Sequence, residues 1–69
     1  MEVRWVDGFK IDVKVEDGTV VISANREGLL SLARQMEDLA EMCPGTHIHY
    51  DEYNSLEDGS NEIIIALTE

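Results

Sequence analysis

Between Phe9 and Ala24 apolar and polar residues alternate with a period of two, the repeat of a strand that buries one face. Phe9, Ile11, Val13 and Val15 alternate with Lys10, Asp12, Lys14 and Glu16. Asp17-Gly18 follows, a pair that tolerates the positive φ angles of a two-residue type I′ turn. Closing a hairpin there sets Val15 opposite Val20, Val13 opposite Ile22 and Ile11 opposite Ala24. All three pairs fall on one face, so turn geometry and hydrophobic pattern specify the same register. Met1 to Asp7 is predicted as a further strand. A two-residue loop at Asp7-Gly8 would set Arg4 opposite Ile11. A three-residue loop, with Gly8 relieving a bulge, brings Trp5 opposite Ile11 and Val3 opposite Val13, and buries the lone tryptophan.

After Ala24 the period changes to that of a helix. Asn25 can accept from the free N–H groups of the first turn, and Glu27 sits where the helix dipole favours a negative charge. Leu29, Leu32, Ala33, Met36, Leu39, Ala40 and Cys43 have the three-four spacing of a buried stripe. Ser31, Arg34, Gln35, Glu37, Asp38 and Glu41 form the predicted wet face. Gly28 costs about 1 kcal/mol against alanine inside a helix, which points to a close approach to the sheet or to a partner. Pro44-Gly45 ends the helix. Thr46 to Tyr53 is predicted as a strand, Asn54 to Ser60 as a polar loop anchored by Leu56. Ile63, Ile65 and Leu67 form the inward face of a last strand, with Ile64 and Ala66 on its other face. The order is then β-β-β-α-β-β over residues 1–69. It makes one small two-layer α+β domain, with one long helix against one face of a mostly antiparallel sheet. The helix and the strands on either side of it form a crossover, right-handed if those strands run parallel.

Composition changes this picture in one respect. Fifteen acids against five bases give a net charge of −10, and the distribution is uneven. Residues 1–34 hold all five bases and six acids; residues 35–69 hold nine acids and no base. The sign argues against nucleic acid and anionic membranes as partners; the acidic half is expected either of a solvated surface that keeps a small protein soluble or of a docking face for a basic partner. The 43 % hydrophobic content suits a folded domain. No apolar run approaches the roughly 20 residues of a membrane helix, and the first residues lack a secretory pattern. The chain is therefore expected to be a complete cytoplasmic protein. One cysteine, Cys43, allows no internal disulfide, and its place on the apolar stripe predicts burial.

Candidate chemistry is sparse. His47, His49 and Asp51 point the same way from one strand, and two imidazoles with a carboxylate can hold iron or zinc. The same pattern is expected of a solvated strand face. The carboxylate pairs Glu37/Asp38, Asp51/Glu52 and Glu57/Asp58 are adjacent in sequence, so their side chains diverge. There is no phosphate-binding glycine loop and no nucleophile elbow. The residues predict a binding module without catalysis and without a cofactor. A metal- or ligand-binding domain on His47, His49 and Asp51 is the alternative.

The run Gly28-Leu29-Leu30-Ser31-Leu32-Ala33-Arg34, then Leu39-Ala40, then Pro44 to Asp51, and finally Leu56 to Ile65 resembles the immunity protein 32 family of bacterial polymorphic toxin systems. The likeness covers roughly residues 22–67. It implies a protein made beside a toxin, which binds the toxin domain and blocks it in the producing cell. With the acidic C-terminal half, it directs attention to Asp51, Glu52, Tyr53, Glu57, Asp58 and Glu62 as the partner-binding residues. Arginine or lysine on the toxin would pair with the carboxylates, and Tyr50 or Tyr53 could add an aromatic anchor. A homodimeric regulatory domain that pairs through an edge strand is a third reading, and a dimer would not exclude the immunity role.

Overall fold

The computed structural model describes residues 1–69. Asp17 and Gly18 both adopt positive φ, 50° and 80°, as a type I′ turn requires. They join β1 (Ile11–Glu16) to β2 (Thr19–Ala24) in the register the hydrophobic pattern dictates: Val15 faces Val20, Val13 faces Ile22 and Ile11 faces Ala24. The helix α1 (Arg26–Ala40) follows directly. Asn25 caps it by accepting from the Gly28 N–H at 2.8 Å, and the same oxygen accepts from Lys10 N at 3.0 Å. One side chain thus fixes the helix start to the hairpin base. β3 (His47–Tyr50) and β4 (Ile63–Ala66) form a second antiparallel pair, Ile48 facing Ile65 and Tyr50 facing Ile63.

The observed order is therefore β-β-α-β-β, in two two-stranded sheets. The α+β class stands. The strand predicted over Met1 to Asp7 does not form, and there is no single five-stranded sheet. The reason lies in the edges of β1. One edge is paired with β2. On the other, Ile11 O accepts from Glu57 N at 2.9 Å and Val13 O from Asn61 N at 2.8 Å, while Val13 N donates to Ser60 Oγ. No edge of β1 is left for the N-terminal segment. It lies along the helix instead: Val6 N donates to Ser31 Oγ at 2.8 Å and Gln35 Nε2 donates to Arg4 O at 2.7 Å. Arg4 adds a bidentate pair with Asp38, both distances 2.9 Å. A turn closed by Phe9 N to Val6 O then leads into β1, without the predicted pairing of Trp5 with Ile11. Because β2 and β3 belong to different sheets, the predicted crossover is absent.

This placement rotates the buried face of α1. Gly28, Ser31, Gln35 and Leu39 are its buried residues. Ser31 and Gln35, assigned to the wet face by their polarity, are fully buried because the N-terminal backbone supplies their partners. Leu29, Ala33, Ala40 and Cys43, assigned to the stripe, are exposed. The core is Ile11, Val13, Leu39, Ile48, Tyr50 and Leu56, with Trp5, Phe9, Met36, Ile63 and Ile65 packed around it. Trp5 is half-buried, stacked on Phe9 at 4.3 Å between ring centroids and edge-on to Tyr50.

The helix approaches the hairpin most closely at its base. A Cβ at Gly28 would lie 2.6 Å from Lys10 O, which is the close approach that keeps a glycine here. By Gln35 the helix is against Tyr50 of β3. The distal half of the hairpin is left uncovered, and Val15, Val20 and Ile22 are exposed although their face is the helix-side face. No helix is long and apolar enough to cross a membrane.

Candidate functional site

The segment from Asp51 to Glu62 joins β3 to β4 and crosses the free edge of β1 on the way. Asp51 opens it as a cap: its Oδ1 accepts from Tyr53 N at 2.9 Å and Asn54 N at 3.0 Å. Its carbonyl accepts from Ser55 N and Leu56 N. Leu56 drops into the core and anchors the middle of the loop, as its apolar character in a polar stretch predicts. From Glu57 to Asn61 the main chain is bonded at both ends to β1. The intervening turn is closed by Ser60 N to Glu57 O and held from two sides. Glu52 Oε2 accepts from Gly59 N at 2.6 Å, and Lys14 Nζ donates to Gly59 O at 2.7 Å.

Of the six carboxylate and tyrosine positions predicted for partner contact, five are exposed: Glu52, Tyr53, Glu57, Asp58 and Glu62. Tyr53 is 95 % exposed, a large aromatic ring with no packing of its own. Asp51 is half-buried and occupied with its cap, and Glu52 is occupied with Gly59. Glu57 and Asp58 carry no ion pair and stand at the turn. Glu62 lies 3.9 Å from His49 Nδ1, at the edge of ion-pair distance.

Lys14 is the cation that reaches this loop. It lies 3.3 Å from Asp12 Oδ1 as well as on the Gly59 carbonyl, and it forms no ion pair with Glu57, Asp58 or Glu62. Sequence reading missed Lys14 and Ser60 as the residues that position the loop. Both contacts span more than forty residues, and no local pattern announces them.

His47 and His49 lie side by side, rings 4.9 Å apart and edge to face. His47 Nδ1 is 3.0 Å from Gly45 O. Asp51 is turned away into its cap, and no three His, Cys, Asp or Glu side chains gather where an ion could be held. No pocket opens on the surface.

The segment thus displays exposed carboxylates, two of them on a turn whose main chain is bonded to β1 at both ends, and one exposed aromatic ring. The immunity protein 32 family matches residues 19–68, more than two-thirds of the chain, and the chain belongs to that family. Neither the curated proteins nor the solved structures yield a match.

Proposed function

We propose that this protein is a stoichiometric, non-catalytic inhibitor that binds a cognate toxin in the cytoplasm of the producing cell, through the acidic loop Asp51–Glu62. Family membership supports the immunity role. The observation that carries the location is the mounting of Glu57 and Asp58 on a turn bonded to β1 at both ends. A loop held this way loses little conformational entropy on binding, so its charges contribute to affinity at low ordering cost. Glu57, Asp58 and Glu62 face the partner; Tyr53 is the aromatic anchor; Asp51 and Glu52 hold the loop. The partner's face carries arginine or lysine, and the uneven charge of this chain steers the encounter.

The test is the triple substitution Glu57→Lys, Asp58→Lys, Glu62→Lys, assayed against the product of the adjacent open reading frame. Association at low salt is expected to slow by about tenfold or more. An unchanged association rate would remove this loop from the interface.

A further inference from the structure

β2 pairs with β1 along one edge only, and nothing covers the other. The phase of the ladder is fixed by Asn25 N donating to Lys10 O and by the register Lys14–Val21 and Asp12–Ser23. Thr19, Val21 and Ser23 bond to β1, so Val20, Ile22 and Ala24 direct their N–H and C=O groups outward. None of these three makes a main-chain bond outside the hairpin. Thr19 to Ser23 are exposed, with Val20 at 55 % and Ile22 at 43 %. Leu29, on the helix that follows directly, is 55 % exposed. Natural edge strands are blunted by lysine, proline or a bulge. β2 has no charge, no proline, no glycine and an unbroken register.

We infer that β2 is a self-association edge, along which two copies of this chain pair antiparallel with Ile22 at the two-fold axis. The register is set by the free groups. Centring on Ile22 places Ile22 against Ile22 and Val20 against Ala24 of the second copy, each pair exchanging both N–H···O bonds, and satisfies every outward group. Faces are preserved, so the uncovered Val20 and Ile22 side chains of the two copies lie together on the helix side. Charge agrees. The strand is neutral within a chain of −10, and residues 1–34 contribute only one net negative charge. Antiparallel pairing brings Arg26, which has no ion pair, level with Gly18 of the second copy and next to the level of Asp17, where Glu27 falls, once on each side of the axis. The acidic loop lies across β1 from this edge, so pairing leaves it free and displays it at both ends of the dimer.

The inference is independent of the immunity reading and is tested without a toxin. Sedimentation of the full chain from micromolar to millimolar concentration is expected to show twice the chain mass. Ile22→Lys and Ile22→Glu each set like charges at the axis, and each is expected to weaken the dimer by about tenfold or more, equivalent to about 1.4 kcal/mol. Mixing the two variants in equal amounts is expected to restore it, which a folding defect would not do. A wild-type chain that stays at single mass overturns the inference, as does a dimer indifferent to both substitutions. A single-mass chain whose toxin binding is weakened by Ile22→Lys overturns self-pairing and gives this edge to the toxin.

Discussion

The Tyr50 hydroxyl donates to Gln35 Oε1 at 2.7 Å, and both side chains are fully buried. Gln35 continues the chain of bonds by donating to Arg4 O. One amide therefore ties β3, the helix and the N-terminal segment together, and no buried side-chain polar atom is left without a partner. Tyr50→Phe strands Gln35 Oε1, and is expected to cost about 1–3 kcal/mol of unfolding free energy. Gln35→Leu strands both the hydroxyl and the Arg4 carbonyl, and is expected to cost at least as much. The double variant is expected to lose less than the sum, by about 0.5–3 kcal/mol. Urea unfolding of the four proteins measures the cycle, and strict additivity would show that the bond carries no coupling.

The same burial sets a pH dependence. Removing Tyr50 from water penalises its phenolate and pushes its pKa up to about 12, against about 10 in an unfolded chain. The folded state then keeps a proton that the unfolded state has lost. This contribution to stability is complete below pH 10 and is lost as pH rises through 12. Urea midpoints compared between wild type and Tyr50→Phe isolate it from other groups that titrate there. The gap between the two proteins is expected to narrow above pH 10, and a constant gap to pH 12 would contradict the assignment.

The β1–β2 hairpin was legible in the sequence because every determinant of it is local: a two-residue turn and three facing apolar pairs. Asn25 as cap, Gly28 as a contact point and Leu56 as an anchor were legible for the same reason. What failed was non-local. Polarity placed Ser31 and Gln35 in water, but they face main-chain groups of Arg4 and Val6, more than twenty residues away. An apolar stripe assigned by spacing alone therefore came out rotated, with Leu29 and Cys43 in solvent. The N-terminal strand failed because its apolar residues suit a sheet edge already taken by residues 57–61. Of the candidate site, the exposed carboxylates were visible as composition. The division between Asp51 and Glu52, which build the loop, and Glu57 and Asp58, which it displays, was not.

Gly28→Ala opposes two effects of similar kind. Alanine gains about 1 kcal/mol of helix propensity. Its Cβ would meet Lys10 O at 2.6 Å and both Ala24 Cβ and Ile11 Cγ1 at 3.0 Å, and the carbonyl is main chain that cannot swing aside. Overpacking is expected to prevail, with a net loss of about 1–3 kcal/mol. Thermal and urea unfolding of this one variant decide the sign, and a stabilised protein would show that helix and hairpin base are free to separate.

Ionic strength distinguishes steering from contact. Solvent-exposed charges are screened over about 30 Å at 0.01 M salt and about 8 Å at 0.15 M. Glu57, Asp58 and Glu62 are all exposed, so their share of toxin binding is expected mainly in the association rate. That rate is expected to fall about tenfold or more over this salt range, with the dissociation rate changing little. Tyr53→Ala is expected to do the reverse. It removes a ring with no contacts in the free protein, leaves the charge intact, and should speed dissociation while folding stability stays within about 0.5 kcal/mol. Stopped-flow association and dissociation traces at two salt concentrations separate the two effects. A salt dependence confined to dissociation would mean that the carboxylates are buried in the complex, which their exposure on a fixed outer turn does not predict.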